Sequence, residues 1–335
     1  MSFDNLSGIK KDKFNIGIFI LLTFLALLGT LLIPGLGLLI AALLPVPVSL
    51  LIIVGRVRDG IICAAASCLI LFLFGYILPL VMICLIAAIA FSHRYAIEKK
   101  WPAWKTISVV FLVFVGAVLL YLFLYIIFYG PGSVSGINGT YNTYLEDMKD
   151  DPIFSGYAGA MMIDGAELDA LISQTQSVLR FLPSILPGIL IVSFALISVV
   201  NYMAASNIYK RNQIEILPVK PFIKWDLPWY YVWGMIAGLI LILIPEIGSY
   251  MDSSLSVIDR VADVAGFNLV IIFGALYTVL GISVLWGILT RFKMRLLVRV
   301  IIIVVLWFFF MIALFTFPLL GLIDIWANFR KLKRN

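Results

Sequence analysis

This sequence predicts an all-α, polytopic transmembrane bundle of about nine spans, and three observations lead there. Of 335 residues, 63% are apolar and only 13% charged, whereas a soluble domain is about 45–50% apolar and about 25% charged. Mean hydropathy is +1.11. The apolar residues collect into runs of roughly 18–24 almost free of charge, the length that crosses about 30 Å of hydrocarbon as helix. A water-soluble enzyme, a nucleic-acid-binding domain and a disulfide scaffold are excluded. Cys63, Cys68 and Cys84 lie in apolar stretches without a CxxC pair and read as small hydrophobes.

In chain order the runs are 16–33, 36–54, 60–76, 77–91, 107–129, 183–205, 229–247, 266–289 and 300–322, marked by unbroken apolarity. Residues 1–15 form a basic N-terminus, and Ile33-Pro34-Gly35 reads as a turn after the first run. The third and fourth runs share one apolar block, 60–91, divided at Gly75-Tyr76 and Pro79. Residues 130–182 form a long loop that opens on a flexible tract, Gly130 to Gly136. From Ala166 the loop turns amphipathic, with Leu168, Leu171, Ile172, Thr175, Val178 and Leu179 at helical spacing. That segment reads either as a solvated loop resting on headgroups or as a lid over an outward cavity. Runs one to six form a first group over 16–205. Residues 206–228, with Pro218, Pro221 and Pro228, form a polar connection, and 229–335 hold the remaining helices and a basic tail.

Sidedness follows from Lys and Arg. Basic clusters fall at Lys10–Lys13, Arg56–Arg58, Arg94–Lys105, Lys210–Lys224, Arg291–Arg299 and Arg330–Arg334, and together hold 21 of the 24 cations. With a cytoplasmic N-terminus and alternating spans in a plasma membrane, all but the tail cluster share one side. The segments 130–182 and 248–265, with their edges, carry 11 of the 18 acids on the other. Nine spans put the tail outside. Either the last block folds back at Pro318 or the tail is external or interfacial; 319–329 are too few residues to span, which favours the external tail.

Little could carry chemistry. His93 is the only histidine, at a run's end where an interfacial role is expected. No hydrolase, nucleotide-binding or metal motif appears, so no enzyme activity and no cofactor is expected. Polar residues inside spans are the informative ones. Asn201, Asn268 and Tyr277 either join helices through hydrogen bonds or line a pocket, with Glu246, Asn268 and Tyr277 converging toward the outer half of the bundle. On one helix Asp324 and Arg330, six apart, do not face each other, whereas Asp324 and Asn328 do. Pro45 and Pro47 must break the second run, because each removes a backbone donor. The carbonyls freed there are either buried by protein or face a polar cavity, and a broken helix is a pointer to a transporter's binding site.

The Pro45-Val46-Pro47 break followed by Gly55-Arg56-Val57-Arg58-Asp59-Gly60 resembles the YybS-like family of bacterial membrane proteins. So do Asn268 with Leu276-Tyr277-Thr278-Val279-Leu280-Gly281-Ile282-Ser283, and the ending Leu320 to Lys331 with Gly321, Asp324 and Arg330. The family is distantly similar to S-components of energy-coupling-factor transporters, whose six-helix fold would map onto about 14–205. The likeness implies an outward substrate pocket and a cytoplasmic ATPase module with its own membrane partner. One departure is that Ala26 and Gly29 stand where an Ala-xxx-Ala docking pair is usual. The expectation is therefore a membrane protein that binds or transports a small solute, with Pro45, Pro47, Glu246, Asn268 and Tyr277 at the pocket. The alternative is a scaffold for envelope or division partners. Its partners are the bilayer and another membrane protein, and no nucleic acid.

Overall fold

The computed structural model describes residues 15–33, 37–147, 165–250, 256–308 and 310–332. All regular structure among them is helical. Among the described residues four helices are long and apolar enough to cross a membrane, 77–98, 103–129, 166–211 and 260–291, and five shorter apolar helices accompany them. The chain divides into two compact units, Met1–Gln176 with Ser193–Val219, and Ser177–Val192 with Lys220–Asn335.

In the first unit α1 (Ile16–Leu32) is followed by α2 (Gly37–Ala41), α3 (Val46–Ile53) and α4 (Val57–Ser67). The Pro34-Gly35 turn lies outside the described residues. A 3₁₀ segment, Leu69–Phe74, ends at Gly75, whose φ of +113° is open to glycine. Then come α5 (Ile77–Glu98), α6 (Ala103–Tyr129) and α7 (Ser133–Asp147). Helix α7 starts inside the tract expected to be flexible: only Gly130 to Gly132 turn, and Ser133 onward is helical.

Helix α3 is the centre of this unit. Seven of its eight residues are buried. Val48, Leu51 and Ile52 pack with Leu27, Cys63, Ala64 and Ile86, while Val46, Leu50 and Ile53 pack with Ala205, Tyr209 and Ile214. Apolar neighbours thus cover both faces. Since lipid is as apolar as Leu, that burial stabilises through close packing rather than through removal from water. The turn to α4 uses Gly55 at φ +86°, and a side chain at Gly60 would meet Ile52 Cγ1 at 2.7 Å.

Helix α8 (Gly165–Arg211) runs 47 residues, through Pro183 and Pro187, about 70 Å at 1.5 Å per residue. The amphipathic segment expected from Ala166 is helical but continues into the sixth run without a break.

The second unit holds the middle of α8, α9 (Val232–Tyr250), α10 (Ser256–Arg291), α11 (Leu296–Phe308) and α12 (Phe310–Ala327). Glycines set its spacing. A Cβ on Gly266 would meet the Gly238 carbonyl oxygen at 2.9 Å, so α9 and α10 touch backbone to backbone. A Cβ on Gly281 would lie on the Phe317 carbonyl, and one on Gly321 would lie on the Tyr277 carbonyl and 2.9 Å from Gly281 N. Small residues permit this approach of α10 and α12.

The run 300–322 is helical on both sides of residue 309, which lies outside the described residues, and α12 continues through Pro318 to Ala327, so Pro318 is not a fold-back point. The chain leaves the last turn of α10 through a tight turn, with Lys293 at φ +53° and Arg299 Nη1 donating to Thr290 at 2.9 Å. By Arg330 it is back: that side chain reaches Ser283 and the carbonyls of Ile223 and Trp225. Arg330 therefore lies beside the 222–226 segment and α10, so the expected cytoplasmic connection and the expected external tail do not both hold.

Candidate functional site

In the first unit the sequence features meet at the break between α2 and α3. Pro45 and Pro47 lack the N–H groups that would pair with Ala41 and Leu43. The chain answers with 3₁₀-type bonds, Leu44 N–H to Ala41 O at 3.2 Å and Val46 N–H to Leu43 O at 3.0 Å. Val46 N–H is thereby withdrawn from the Ala42 carbonyl. Asn201 of α8 fills the vacancy, its Nδ2 donating to Ala42 O at 2.7 Å. Ser49 donates to Pro45 O at 2.7 Å. Ala42, Pro45, Val46, Ser49 and Asn201 are all buried, so the freed carbonyls are closed by protein.

His93 belongs to this cluster. It is fully buried, because the face of α5 (Ile77–Glu98) that carries it packs inside the unit. Its Nδ1 is 2.7 Å from the Tyr209 hydroxyl, and the Tyr209 ring stands edge-on to the imidazole at 5.7 Å. Tyr202, also buried, stands edge-on to the same imidazole at 6.4 Å and donates to Leu217 O. The histidine is thus a tie between α5 and the end of α8. Sequence reasoning missed this tie because Tyr209 lies 116 positions away along the chain.

In the second unit Asn268 makes three bonds. Its Oδ1 accepts from Gly188 N–H, and its Nδ2 donates to Ser184 O at 2.7 Å and to Val264 O of its own helix. Ser184 O and Gly188 N–H are the groups that an uninterrupted α-helix pairs with each other. The amide therefore bonds to both members of one rung of the α8 ladder, beside Pro187. Prolines within spanning helices are tolerated where a neighbour satisfies the backbone in this way.

Tyr277 lies nine residues beyond Asn268, half a turn out of phase at 3.6 residues per turn, so the two face opposite sides of α10. Its ring packs with Leu280, Ile325 and Phe273, and its buried hydroxyl has no hydrogen-bond partner among the described residues. Glu246 is on α9, but its side chain lies outside the described residues. Pro45 and Pro47 belong to the first unit, and Asn268, Tyr277, Gly321, Asp324 and Arg330 to the second.

Asp324 and Arg330 do meet, against the expectation from their spacing. The helix ends at Ala327 and Asn328 takes φ +43°, which turns the chain back. Arg330 Nη2 and Nε then reach Asp324 Oδ2 at 2.9 and 3.1 Å, with both side chains buried. The expected partner Asn328 instead bonds to Leu332 through both its amide groups. Arg330 Nη1 donates to Ile223 O, Trp225 O and the Ser283 hydroxyl, which itself donates to Phe222 O. A single guanidinium thus ties tail, α10, α12 and the 222–225 segment. The signal that could have found it was Gly321 paired with Gly281, which fixes how α12 lies on α10.

No curated protein and no solved structure matches the chain. A family described as predicted membrane protein (DUF2232) matches residues 20–325. That span covers the helix break, Asn201, Asn268 and Asp324, stops just before Arg330, and makes this chain a member of that membrane protein family.

Proposed function

We propose that the chain is a non-enzymatic scaffold of the plasma membrane that holds partner proteins of the envelope or division machinery, with its basic clusters on the cytoplasmic side. The observation that carries this reading is the closure of the Pro45–Pro47 break: the freed Ala42 carbonyl is taken by Asn201 in a buried cluster that also holds Ser49, His93 and Tyr209. A solute site would leave such groups facing a wet cavity. Asn268 supports the same reading, since it is engaged with backbone at three points.

A second reading rests on Tyr277, whose buried hydroxyl has no partner among the described residues and would suit a small solute in the second unit. The likeness to YybS-like proteins and S-components, with an ATPase module as partner, belongs to this reading. Native mass spectrometry of the gently purified full-length protein separates the two. The scaffold reading expects no small solute of constant mass, and expects photo-crosslinking from the basic loops in cells to give one recurrent protein adduct. A retained solute that is lost in Tyr277→Phe overturns it.

A further inference from the structure

We propose that the groove between the end of α5 and the start of α6 is a binding site for one anionic phospholipid. It has a volume of about 360 Å³, within the range of small-ligand sites. One end is lined by Ala88, Phe91 and Val109 with Ser92, whose hydroxyl is turned back onto the Ala88 carbonyl; the mouth is polar, at Arg94, Tyr95, Glu98 and Trp101. From Glu98 to Ala88 the groove follows α5 for about 15 Å at 1.5 Å per residue. That is half of a hydrocarbon core about 30 Å thick, the depth of one leaflet's acyl chain.

The mouth has the chemistry of a membrane–water interface. Tyr95 and Trp101 stand edge to face at 4.9 Å, and such rings favour the headgroup level. A backbone turn fixes them: Trp101 N–H bonds to Ala96 O at 2.9 Å and Lys100 takes φ +51°. Lys105 Nζ sits 4.4 Å from the Trp101 ring centre and Lys99 Nζ 5.8 Å from that of Tyr95. The sole acid lining the groove, Glu98, is bonded at 2.9 Å to Arg94, which also donates to Ile52 O. Arg94 is thus a structural cation. Lys99, Lys100 and Lys105, all exposed, carry the uncompensated positive charge. A phosphate between Lys99 and Lys105, with its acyl chain along Phe91 and Ala88, matches both ends of the groove. Neither a free anion nor a soluble peptide would use the apolar end.

The test is native mass spectrometry of the full-length protein in neutral detergent, titrated with phosphatidylglycerol or phosphatidylcholine of equal chain length. The expected result is one phosphatidylglycerol retained in preference to phosphatidylcholine. Lys99→Gln with Lys105→Gln should weaken that retention about 25-fold, about fivefold per lysine, while Lys210→Gln with Arg211→Gln leaves it unchanged. Equal retention of the two lipids by the unaltered protein overturns the proposal, whatever the variants do. So does an equal loss in the control pair, which would mean general surface charge. Competition by glycerol phosphate as strong as by the whole lipid would mean a phosphate site and not a lipid site.

Discussion

Each unit contains a helix interrupted by two prolines and an asparagine from a neighbouring helix that repairs it, yet the outcomes differ. Pro45 and Pro47 stand two residues apart, and the helix splits into α2 and α3. Pro183 and Pro187 stand four apart, and α8 continues. Prolines at i and i+4 remove donors from one face, one turn above the other, and leave the opposite face's ladder intact. Prolines at i and i+2 remove donors from two different sides of the same turn. The first pattern leaves one gap for an amide to bridge; the second forces tighter turns and exposes a carbonyl in a new direction. Asn268 accordingly contacts a donor and an acceptor of α8, while Asn201 donates to one carbonyl, that of Ala42.

The units also differ in what fixes their helices. The first surrounds α3 with branched and aliphatic side chains; the second uses glycine contacts and a buried ion pair. The largest effect is expected where backbones touch. Gly281→Leu places a side chain on the Phe317 carbonyl, and neither helix can yield without losing the other contacts. It should cost about 4 kcal/mol or more, in the range reserved for overpacking at a core. Gly116→Leu on α6, where an added Cβ meets nothing within 4 Å, should be neutral. Thermal unfolding in detergent, followed by far-ultraviolet circular dichroism, compares the two; equal losses would remove glycine contact as the organising feature.

Next comes Arg330. Removing one member of a buried pair leaves an uncompensated charge, at a cost of about 3–5 kcal/mol. Arg330→Ala should lower stability by that amount and make the 222–226 segment and the tail sensitive to protease. Asp324→Leu combined with Arg330→Met should recover part of the loss, because apolar replacement of both buried members is tolerated, although Asp226, 3.7 Å from Arg330 Nη2, loses that cation. Recovery should stay incomplete, since Ser283, Ile223 and Trp225 lose their shared donor. Full recovery would reduce Arg330 to a charge partner of Asp324.

The asparagines give the direct comparison. Asn268→Ala leaves Gly188 N–H and Ser184 O without the amide and should cost about 2 kcal/mol; Asn201→Ala leaves Ala42 O and should cost about 1 kcal/mol. If the order reverses in the same unfolding assay, the spacing argument fails.

Much of this was legible in the sequence. Runs of apolar residues gave the helical membrane class, Pro45 and Pro47 marked a true break, and the polar residues Asn201 and Asn268 turned out to sit beside interrupted helices. Partners were not legible. Asn201 meets Ala42 across 159 positions and Asn268 meets Ser184 across 84, and no local pattern encodes such distances. The spacing rule misjudged Asp324 and Arg330 because it assumed a helix that ends at Ala327. Gly234-Met-Ile-Ala-Gly238 had the spacing of a close helix crossing, and that signal was available without the structure.

The smallest expected effect bears on why α8 tolerates its prolines. Pro187→Ala restores an N–H that can pair with Pro183 O, and it removes the ring's clash with the preceding turn. In an ordinary helix interior that change is worth about 3 kcal/mol. Here the fold has already adapted: Asn268 holds Ser184 O and Gly188 N–H in their present places, and a straightened helix would draw them away from it. The gain in α8 and the loss at Asn268 oppose each other, so Pro187→Ala should change stability by less than about 1 kcal/mol. The same substitution in an Asn268→Ala background lacks the opposing loss and should stabilise clearly. A double-mutant cycle measured by thermal unfolding reads this coupling, and additive effects would mean that the amide and the proline act independently.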